Sequence, residues 1–210
     1  MNQATQTLTL QGEAGNLEAL MEETKRLGMD SIALTDHGAL YGSVQFVQAA
    51  KQFGIKPIIG VETYVARRGM RDKEGKADQQ PFHLIALATS GTGYRNLCRI
   101  VTDAHLDGLY YKPRTDHEHL ARHAEGLVGL SGCLNGEIAR ALEVDDWEHA
   151  RALAGKYGEI FGKGRFFLEV QDHGLPEQRR LNEQLFRLAP EVGLPLVLTN
   201  DLHYVRADQR

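Results

Sequence analysis

Residues 32–38 read IALTDHG, so three apolar residues are followed at once by Thr, Asp and His. A short apolar run of this kind is typical of a buried strand, and the polar residues then lie at the carboxyl end of that strand. The pattern recurs along the chain, where apolar runs alternate with segments of helical periodicity. The predicted strands are 7–10 (the weakest), 32–34, 57–66, 82–88, 127–130, 166–171 and 195–199.

Alternating strands and helices predict an α/β fold of parallel strands joined by right-handed crossovers. Strands as apolar as these are covered on both faces. We expect a closed or nearly closed α/β barrel of about seven units, and an open doubly wound sheet is the alternative. No phosphate loop and no GxGxxG motif after a first strand occurs, which argues against a nucleotide-binding sheet. Residues 68–80 are polar and predict a mobile loop.

Composition excludes several classes of protein. The 210 residues carry a net charge of −4, which argues against a general nucleic-acid coat, so any phosphate contact would be local. The two cysteines, Cys98 and Cys133, make no disulfide framework and favour the reducing cytoplasm. No apolar run approaches the roughly 20 residues of a membrane span, so we expect no membrane partner.

In α/β barrels the chemistry lies at the carboxyl ends of the strands. Side chains that bind metals collect on the predicted strands and at their ends: His37, Glu62, His83, Cys133, Asp201 and His203. Glu62 interrupts an apolar strand, and a buried carboxylate requires a counter-charge or a metal. A donor set of this kind suits Zn, Mn or Fe better than Ca or Mg. It is typical of a two-metal hydrolytic site, where the metals activate a water and hold phosphoryl oxygens.

Each of these residues also has a structural interpretation. A single histidine at a strand end is more often hydrogen-bonded than a ligand, and Cys133 alone would be a small buried hydrophobe. Asp36 or Asp201 would cap a following helix. Six such residues on five of the seven predicted strand units favour the metal site over six independent structural roles.

Other histidines and one basic loop receive a different interpretation. The histidines predicted to lie on the surface are His105, His117, His119, His123 and His149. His119 and His123 are one helical turn apart and would suit a metal, but a short polar helix normally turns such residues to solvent. Residues 110–114, YYKPR, combine aromatic and basic groups. Lys112 and Arg114 are therefore candidate phosphate or DNA contacts, and a structural loop is the alternative.

Seven motifs occur in order: TDHG (35–38), GVETY (60–64), FHL (82–84), YKPR (111–114), SGC (131–133), DHGLPEQ (172–178) and TNDLHY (199–204). Together they resemble the PHP (polymerase and histidinol phosphatase) domain, in the branch found at the N-terminus of bacterial DNA polymerase III alpha subunits. The resemblance covers residues 16–210 and implies a distorted seven-unit (β/α) barrel. It implies one PHP domain over residues 1–210, as a fragment of a much longer polymerase chain, with an altered first strand and the C-terminal part of the domain absent.

The resemblance also implies up to three metal ions. Glu62 would bridge two of them, His83 and Cys133 would complete one of these two sites, and Asp201 would help to hold the other. The ions would be Zn, or alternatively Mn or Fe, and the catalytic group would be a water that they activate.

The third ion would be held by His37 and His203, again by resemblance. Three further residues of the matched motifs are expected as neighbours of the site: Asp36, Asp172 and His173.

The first strand departs from the family pattern. The family begins with His-x-His and a further ligand, whereas this chain has no histidine before His37. If residues 7–10 are the first strand, threonines take the two histidine positions. If Gln11 begins the following turn instead, Asn2 and Ala4 take them. Either way three ligands are missing, and hydroxyl and amide groups replace imidazole and carboxylate poorly. We expect fewer than three ions and little or no hydrolysis.

Three functions follow from the resemblance. The first is the PHP domain of a polymerase alpha chain, a nucleotidyltransferase that meets DNA, with an impaired phosphoesterase or 3′–5′ exonuclease site. The second is an interaction module that supports the polymerase body or binds a proofreading exonuclease subunit. The third is a small-molecule phosphatase of the histidinol-phosphate type, against which residues 111–114 and 173–176 argue because they match the polymerase branch. Whether the parent polymerase is replicative or error-prone stays open.

Overall fold

A computed structural model describes residues 7–8 and 17–205 of the chain. Its strands are β1 (Thr7–Leu8), β2 (Ser31–His37), β3 (Lys56–Val65), β4 (Phe82–Ala88), β5 (Arg114–Thr115), β6 (Leu127–Leu130), β7 (Phe166–Val170) and β8 (Leu196–Leu198). Its helices are α1 (Leu17–Arg26), α2 (Ser43–Phe53), α3 (Gly91–Leu106), α4 (His117–His123), α5 (Glu137–Glu143), α6 (Trp147–Phe161) and α7 (Pro176–Val192), with a 3-10 turn at Ala77–Gln79.

The strands form one curled sheet in the order β1-β2-β3-β4-β6-β7-β8, and β5 pairs with β3 beside this path. The curled sheet with its helices confirms the predicted α/β class and has the shape of a half-barrel, consistent with a distorted (β/α) barrel. The sequence does not predict β5, because two residues are too few to show a periodic pattern.

The prediction that every strand is parallel is wrong for β4. This strand pairs antiparallel with both β3 and β6. A parallel return requires a crossover connection, usually a helix, and residues 66–81 provide only the 3-10 turn. Because β4 runs in the reverse direction, its first residues lie beside the carboxyl ends of β3 and β6.

The helices cover the outer face of the sheet. One cluster packs α1 and α2 against β2 through residues such as Met21, Leu34 and Phe46. A larger cluster packs the later helices against β3, β4, β6 and β7. The inner face carries a small apolar group, Ala33, Ile85, Leu87 and Leu130, so apolar contacts close one end of the concave face. Among the helices of the described residues, none is both long and apolar enough to cross a bilayer.

Residues 66–81 form the loop that the sequence predicts, but side chains hold it in place. Asp78 is buried and pairs with Arg68. Arg114 is fully buried and donates to the carbonyl oxygens of Met70, Asp72 and Asp78, at 3.0, 2.7 and 3.0 Å. A mobile loop would leave this buried cation without its partners, at a high cost in free energy.

Candidate metal centre

Three neighbouring strands carry polar side chains on the inner face of the sheet. The β2–β3 register pairs His37 with Glu62, and the β3–β4 register pairs Tyr64 with His83. Directly paired residues point to the same face, and the face repeats every second residue. All four side chains therefore share the concave face.

Glu62 lies at the centre of this group. Its Oε1 is 3.3 Å from Nε2 of His37 and 2.9 Å from Nδ1 of His83, and its side chain is 4% exposed. Neither contact has the geometry of a hydrogen bond, so within the described part of the chain this buried oxygen has no hydrogen-bond partner. A buried carboxylate requires a counter-charge, which a protonated His83 or a metal ion held by these side chains would supply.

Cys133 reaches the same group from the end of β6, with its Sγ 3.6 Å from Nδ1 of His83. The preceding Gly132 has a φ of 82°, and a Cβ there would lie 2.7 Å from the carbonyl oxygen of His83. Glycine is thus required for the turn to pass His83. Glu62 and Cys133 thus both contact His83, and these are the three residues that the resemblance assigns to one metal.

The electrostatics of this group favour a cation. Burial by itself lowers the pKa of His83, but the thiol of Cys133 and the carboxylate of Glu62 outweigh it and raise that pKa to about 10. Burial, followed by the charge of Glu62, raises the pKa of Tyr64 to about 12. Positive charge is therefore preferred here, and the phenol stays neutral. We call His37, Glu62, His83 and Cys133 the Glu62 cluster.

The donors of the Glu62 cluster fit a transition metal. They are two imidazole nitrogens, one carboxylate oxygen and one sulfur, which is the mixture that zinc and related ions take. The observation that supports this fit is the buried Oε1 of Glu62, which has no hydrogen bond within the described residues.

The segment after β8 places His203 beside His37. Its ring centroid is 6.2 Å from that of His37, and its Nδ1 donates to the carbonyl oxygen of Asp201 at 2.9 Å. This contact fixes the ring and leaves Nε2 as the ligand atom. Asp201 has a φ of 41°, which is uncommon for a residue other than glycine, and its charge acts on the buried Glu169.

The three expected neighbours of the site have local structural roles. Asp36 alternates with His37 on β2 and so points to the outer face, where Oδ2 accepts from the backbone at the start of α2. Asp172 is exposed, and its Oδ1 accepts a hydrogen bond from the backbone N–H of Gly174 within a turn. His173 donates from Nε2 to the carbonyl oxygen of Asn200 at 2.6 Å, and so ties the ends of β7 and β8 together.

The two predicted phosphate contacts have different environments. Lys112 is exposed, and its Nζ lies 5.3 Å from the ring centroid of Tyr64. Arg114 is fully buried with its donors on carbonyl oxygens, so it cannot reach DNA. The prediction of a phosphate contact is therefore corrected for Arg114, which fastens the loop instead.

The histidines predicted to lie on the surface differ from one another. His105 is only partly exposed, and its Nε2 donates to the carbonyl oxygen of Gly38 at 2.9 Å, which fixes the turn after His37. His117 is half-buried against Glu137, 2.8 Å away. His149 is exposed, as predicted. Nothing in the sequence spacing distinguishes these cases, because the contacts of His105 and His117 are long-range.

A second group of metal-type side chains lies between α3 and α4. The ligand atoms of Asp103, His119 and His123 lie within 4.8 Å of one another. His119 is buried, so its predicted exposure is wrong. Its Nε2 is 3.0 Å from Asp103 and its Nδ1 is 3.0 Å from the hydroxyl of Thr115. Because both ring nitrogens already have partners, we interpret this group as a contact that joins the two helices.

Glu169 is a buried residue near the centre that the sequence motifs do not single out. Its Oε2 accepts from the backbone N–H of Gly132 at 3.1 Å, and its Oε1 accepts from the hydroxyl of Thr199. It therefore joins the turn that carries Cys133 to the strand end that precedes Asp201. A signal is present in the sequence, because Glu169 interrupts an apolar strand in the same way as Glu62.

The chain is similar in sequence to bacterial DNA polymerase III alpha subunits. The chain is 44% identical over 196 residues to the DNA polymerase III subunit alpha of Treponema pallidum, with 93% of the chain and 17% of the relative covered. It is 45% identical over 212 residues to that of Thermus aquaticus, with 99% and 17% covered. The chain thus spans about a sixth of the length of these curated relatives.

Solved structures share the fold at low identity. One is described as a metal-dependent phosphoesterase from Bifidobacterium adolescentis, with a TM-score of 0.52, 16% identity, and 98% of this chain and 90% of that chain covered. Another is an amidohydrolase from Chromobacterium violaceum, with a TM-score of 0.55, 13% identity, and 99% and 89% covered. Residues 5–173 match the family model described as the PHP domain. The chain belongs to the PHP domain family.

Proposed function

We propose that residues 1–210 are the PHP module of a bacterial DNA polymerase III alpha subunit and that the inner face holds metal ions in a phosphoesterase site of the 3′–5′ exonuclease type. The observation that carries the proposal is the buried Oε1 of Glu62 between His37 and His83. The similarity to alpha subunits supports a place in a longer polymerase that works on DNA in the cytoplasm.

The residues that would hold the ions are those of the Glu62 cluster, together with Asp201 and His203. Zinc, manganese or iron bound there would supply Lewis acidity toward a phosphodiester. The chain itself supplies the orientation. The hydrogen bond to the Asp201 carbonyl fixes His203, and the buried ring of Tyr64, 5.3 Å from that of His83, keeps water from one side.

We propose further that hydrolysis is impaired and that fewer than three ions bind. The first strand lies at β1, where Thr7 pairs with Ala33 and Leu8 with Leu34. This placement supports the alternative in which threonines take the positions of the family's histidines. Asn2, Ala4 and Gln11, on which the other alternative depends, lie outside the described residues.

An exonuclease assay tests the impaired site. The chain is loaded with Zn²⁺ or Mn²⁺ and mixed with a 5′-labelled single-stranded oligonucleotide, and shortening from the 3′ end is followed on a gel. We expect little or no shortening. Turnover that His83→Ala abolishes, and that the exposed control His149→Ala retains, would contradict the impairment.

The second candidate function is an interaction module for the polymerase body or a proofreading exonuclease subunit. One observation favours it: Leu196 and Leu198 on β8, an end strand of the described sheet path, are 37% and 51% exposed. Exposed apolar side chains side by side are typical of a contact surface. The test is a pull-down of a purified proofreading subunit by the chain. Capture by the parent chain that is lost in the double variant Leu196→Ser with Leu198→Ser supports this role. Equal capture by both argues against it.

A further inference from the structure

We propose that a pocket beside His83 binds the phosphodiester backbone at the end of a single DNA strand and feeds it to the Glu62 cluster. This inference rests on the proposed function and names the part of the substrate that the site would hold. The pocket has a volume of about 300 Å³, at the lower end of the range of roughly 300–1,000 Å³ for ligand sites. We call it the phosphate pocket, and its cations are Arg67, Lys112 and Arg140.

The lining of the phosphate pocket is cationic. Its residues are Tyr64, Arg67, Gln79, Gln80, Pro81, Phe82, His83, Lys112, Asn135 and Arg140. Three of them are always charged at neutral pH, and none is a carboxylate. In a chain with a net charge of −4, such a lining produces a local positive potential that attracts anions.

A second polar pocket provides a contrast. It has a volume of about 480 Å³ and lies between α3, α4 and residues 69–71. Arginines line it too, but so do four carboxylates, Asp103, Asp107, Asp116 and Glu118. Several of these carboxylates already pair with its cations, as Asp107 does with Arg71 at 2.7 Å. Its charge is therefore largely cancelled, and it has no comparable preference for an anion.

Two cations of the phosphate pocket are held in position without a carboxylate. The guanidinium of Arg67 lies 4.4 Å from the ring centroid of Phe82, and its Nε donates to the carbonyl oxygen of Gln80 at 2.8 Å. Lys112 lies over Tyr64. Among the described residues, neither cation forms an ion pair with Asp or Glu. Their charges are thus oriented before a ligand arrives, which lowers the entropic cost of binding.

Arg140 completes the set from α5. Its guanidinium donates to Glu143 at 2.6 Å and to Asn135 at 2.7 Å, which uses two of its five N–H donors. The remaining donors suit a phosphate oxygen, since a guanidinium forms strong, charge-assisted hydrogen bonds with phosphate.

The position of the phosphate pocket connects it to the metal centre. His83 and Tyr64 line the pocket, and both also lie in the group around Glu62. A phosphate in the pocket therefore lies next to the place where the metals would act. Tyr111, beside Lys112 in the chain, is 71% exposed. Single-strand binders combine backbone cations with exposed aromatic rings of this kind, which favours a single strand over a duplex.

The test is fluorescence anisotropy of a short 5′-labelled oligothymidylate with the chelated, metal-free chain at several salt concentrations. The variants are Arg67→Gln, Lys112→Gln and Arg140→Gln. The matched control is Arg151→Gln, because Arg151 pairs with Glu148 at 2.6 Å in the same i,i+3 geometry as Arg140 with Glu143. All four side chains are exposed, so folding should persist, and thermal unfolding checks it.

We expect each pocket variant to weaken binding by about fivefold, as for one lost ion contact, and the control to leave it unchanged. Three phosphate contacts predict a slope near −2 for log affinity against log salt, reduced by about 0.7 in each variant. Absence of binding, equal binding by the variants, or equally tight binding of a duplex would overturn the inference.

DNA binding by the variants tests the phosphate pocket, and metal uptake by the chain tests the proposed function, so the two can fail independently. If metals bind the Glu62 cluster but the variants bind DNA normally, the pocket fails while the proposed function stands. If the variants lose DNA binding but the chain takes up no metal, the DNA contact stands while the proposed metal site fails.

Discussion

Glu62 and His83 meet across an antiparallel strand pair, with Oε1 of the carboxylate 2.9 Å from Nδ1 of the ring. They are diagonal neighbours, since His83 pairs directly with Tyr64. This contact exists because β4 runs against its neighbours, which brings the first residues of β4 to the mouth where the parallel strands end. A residue near the start of one strand thereby joins residues at the ends of the others.

The first prediction concerns the buried charge of Glu62. Glu62→Gln removes the carboxylate that lies 2.9 Å from Nδ1 of His83 and raises the pKa of that ring, so the metal-free variant should be less stable than the parent near pH 7. On addition of Zn²⁺ at 100 times its dissociation constant, the parent should gain about 2.7 kcal/mol and the variant less than half of that. Thermal unfolding with and without metal measures both effects. The exposed Glu159→Gln is the control, and an equal metal response in Glu62→Gln would contradict the assignment.

The second prediction concerns pH and Glu169. Burial first of all, opposed by its hydrogen bonds to Thr199, Gln171 and Gly132 and reinforced by the charge of Asp201, raises the pKa of Glu169 from 4.5 to about 7. The folded chain therefore keeps this proton while the unfolded chain loses it. The resulting stabilisation is full below pH 4.5 and is lost as the pH rises to about 7, with a total of roughly 3 kcal/mol.

Urea unfolding of metal-free protein between pH 4 and pH 8 measures this dependence. In Glu169→Gln the part of the decline that belongs to this carboxyl should disappear. The free energy of unfolding of the parent should therefore fall steadily relative to that of the variant as the pH rises across the interval. Parallel curves would show that Glu169 does not titrate there. Glu159→Gln, at an exposed position, should run parallel to the parent.

The third prediction concerns Arg114. Arg114→Met keeps the aliphatic volume but leaves buried carbonyl oxygens without donors. We expect a loss of about 3–5 kcal/mol in the free energy of unfolding, measured by urea titration. Arg165→Met, at an exposed position, should change stability by less than about 0.5 kcal/mol. A similarly small effect at Arg114 would show that the loop of residues 66–81 does not depend on it.

The fourth prediction concerns Gly38, which follows His37. It has a φ of 62°, and an added Cβ would lie 2.7 Å from Pro113 Cγ. Gly38→Ala should therefore cost about 1–3 kcal/mol through backbone strain and crowding and should also weaken metal binding. Gly28→Ala, where φ is 73° and no atom lies within 4 Å of the Cβ, isolates the effect of the backbone alone. Equal losses of stability at both positions would show that crowding against Pro113 does not contribute.

The sequence predicts the parts of this fold that depend on local pattern. Apolar runs locate six of the strands, and Glu62 is recognisable because it interrupts one of them. The reversed direction of β4 depends on the absence of a crossover helix in residues 66–81, which the polar loop predicted at 68–80 already indicates but which the assumption of regular strand-helix alternation overlooks. The neighbours of Arg114 in sequence are aromatic and basic and so suggest DNA, whereas its partners lie 6 to 44 residues away. Long-range hydrogen bonds of this kind leave no periodic trace.

The most direct test of the central claim is the metal content of each chain, measured by elemental analysis after purification and dialysis. We predict one or two ions of zinc, manganese or iron per chain, with at least one lost in His83→Ala and in Cys133→Ala and none lost in the exposed control His149→Ala. No metal in the parent chain, or the same content in all of the variants, would contradict a metal centre at the Glu62 cluster.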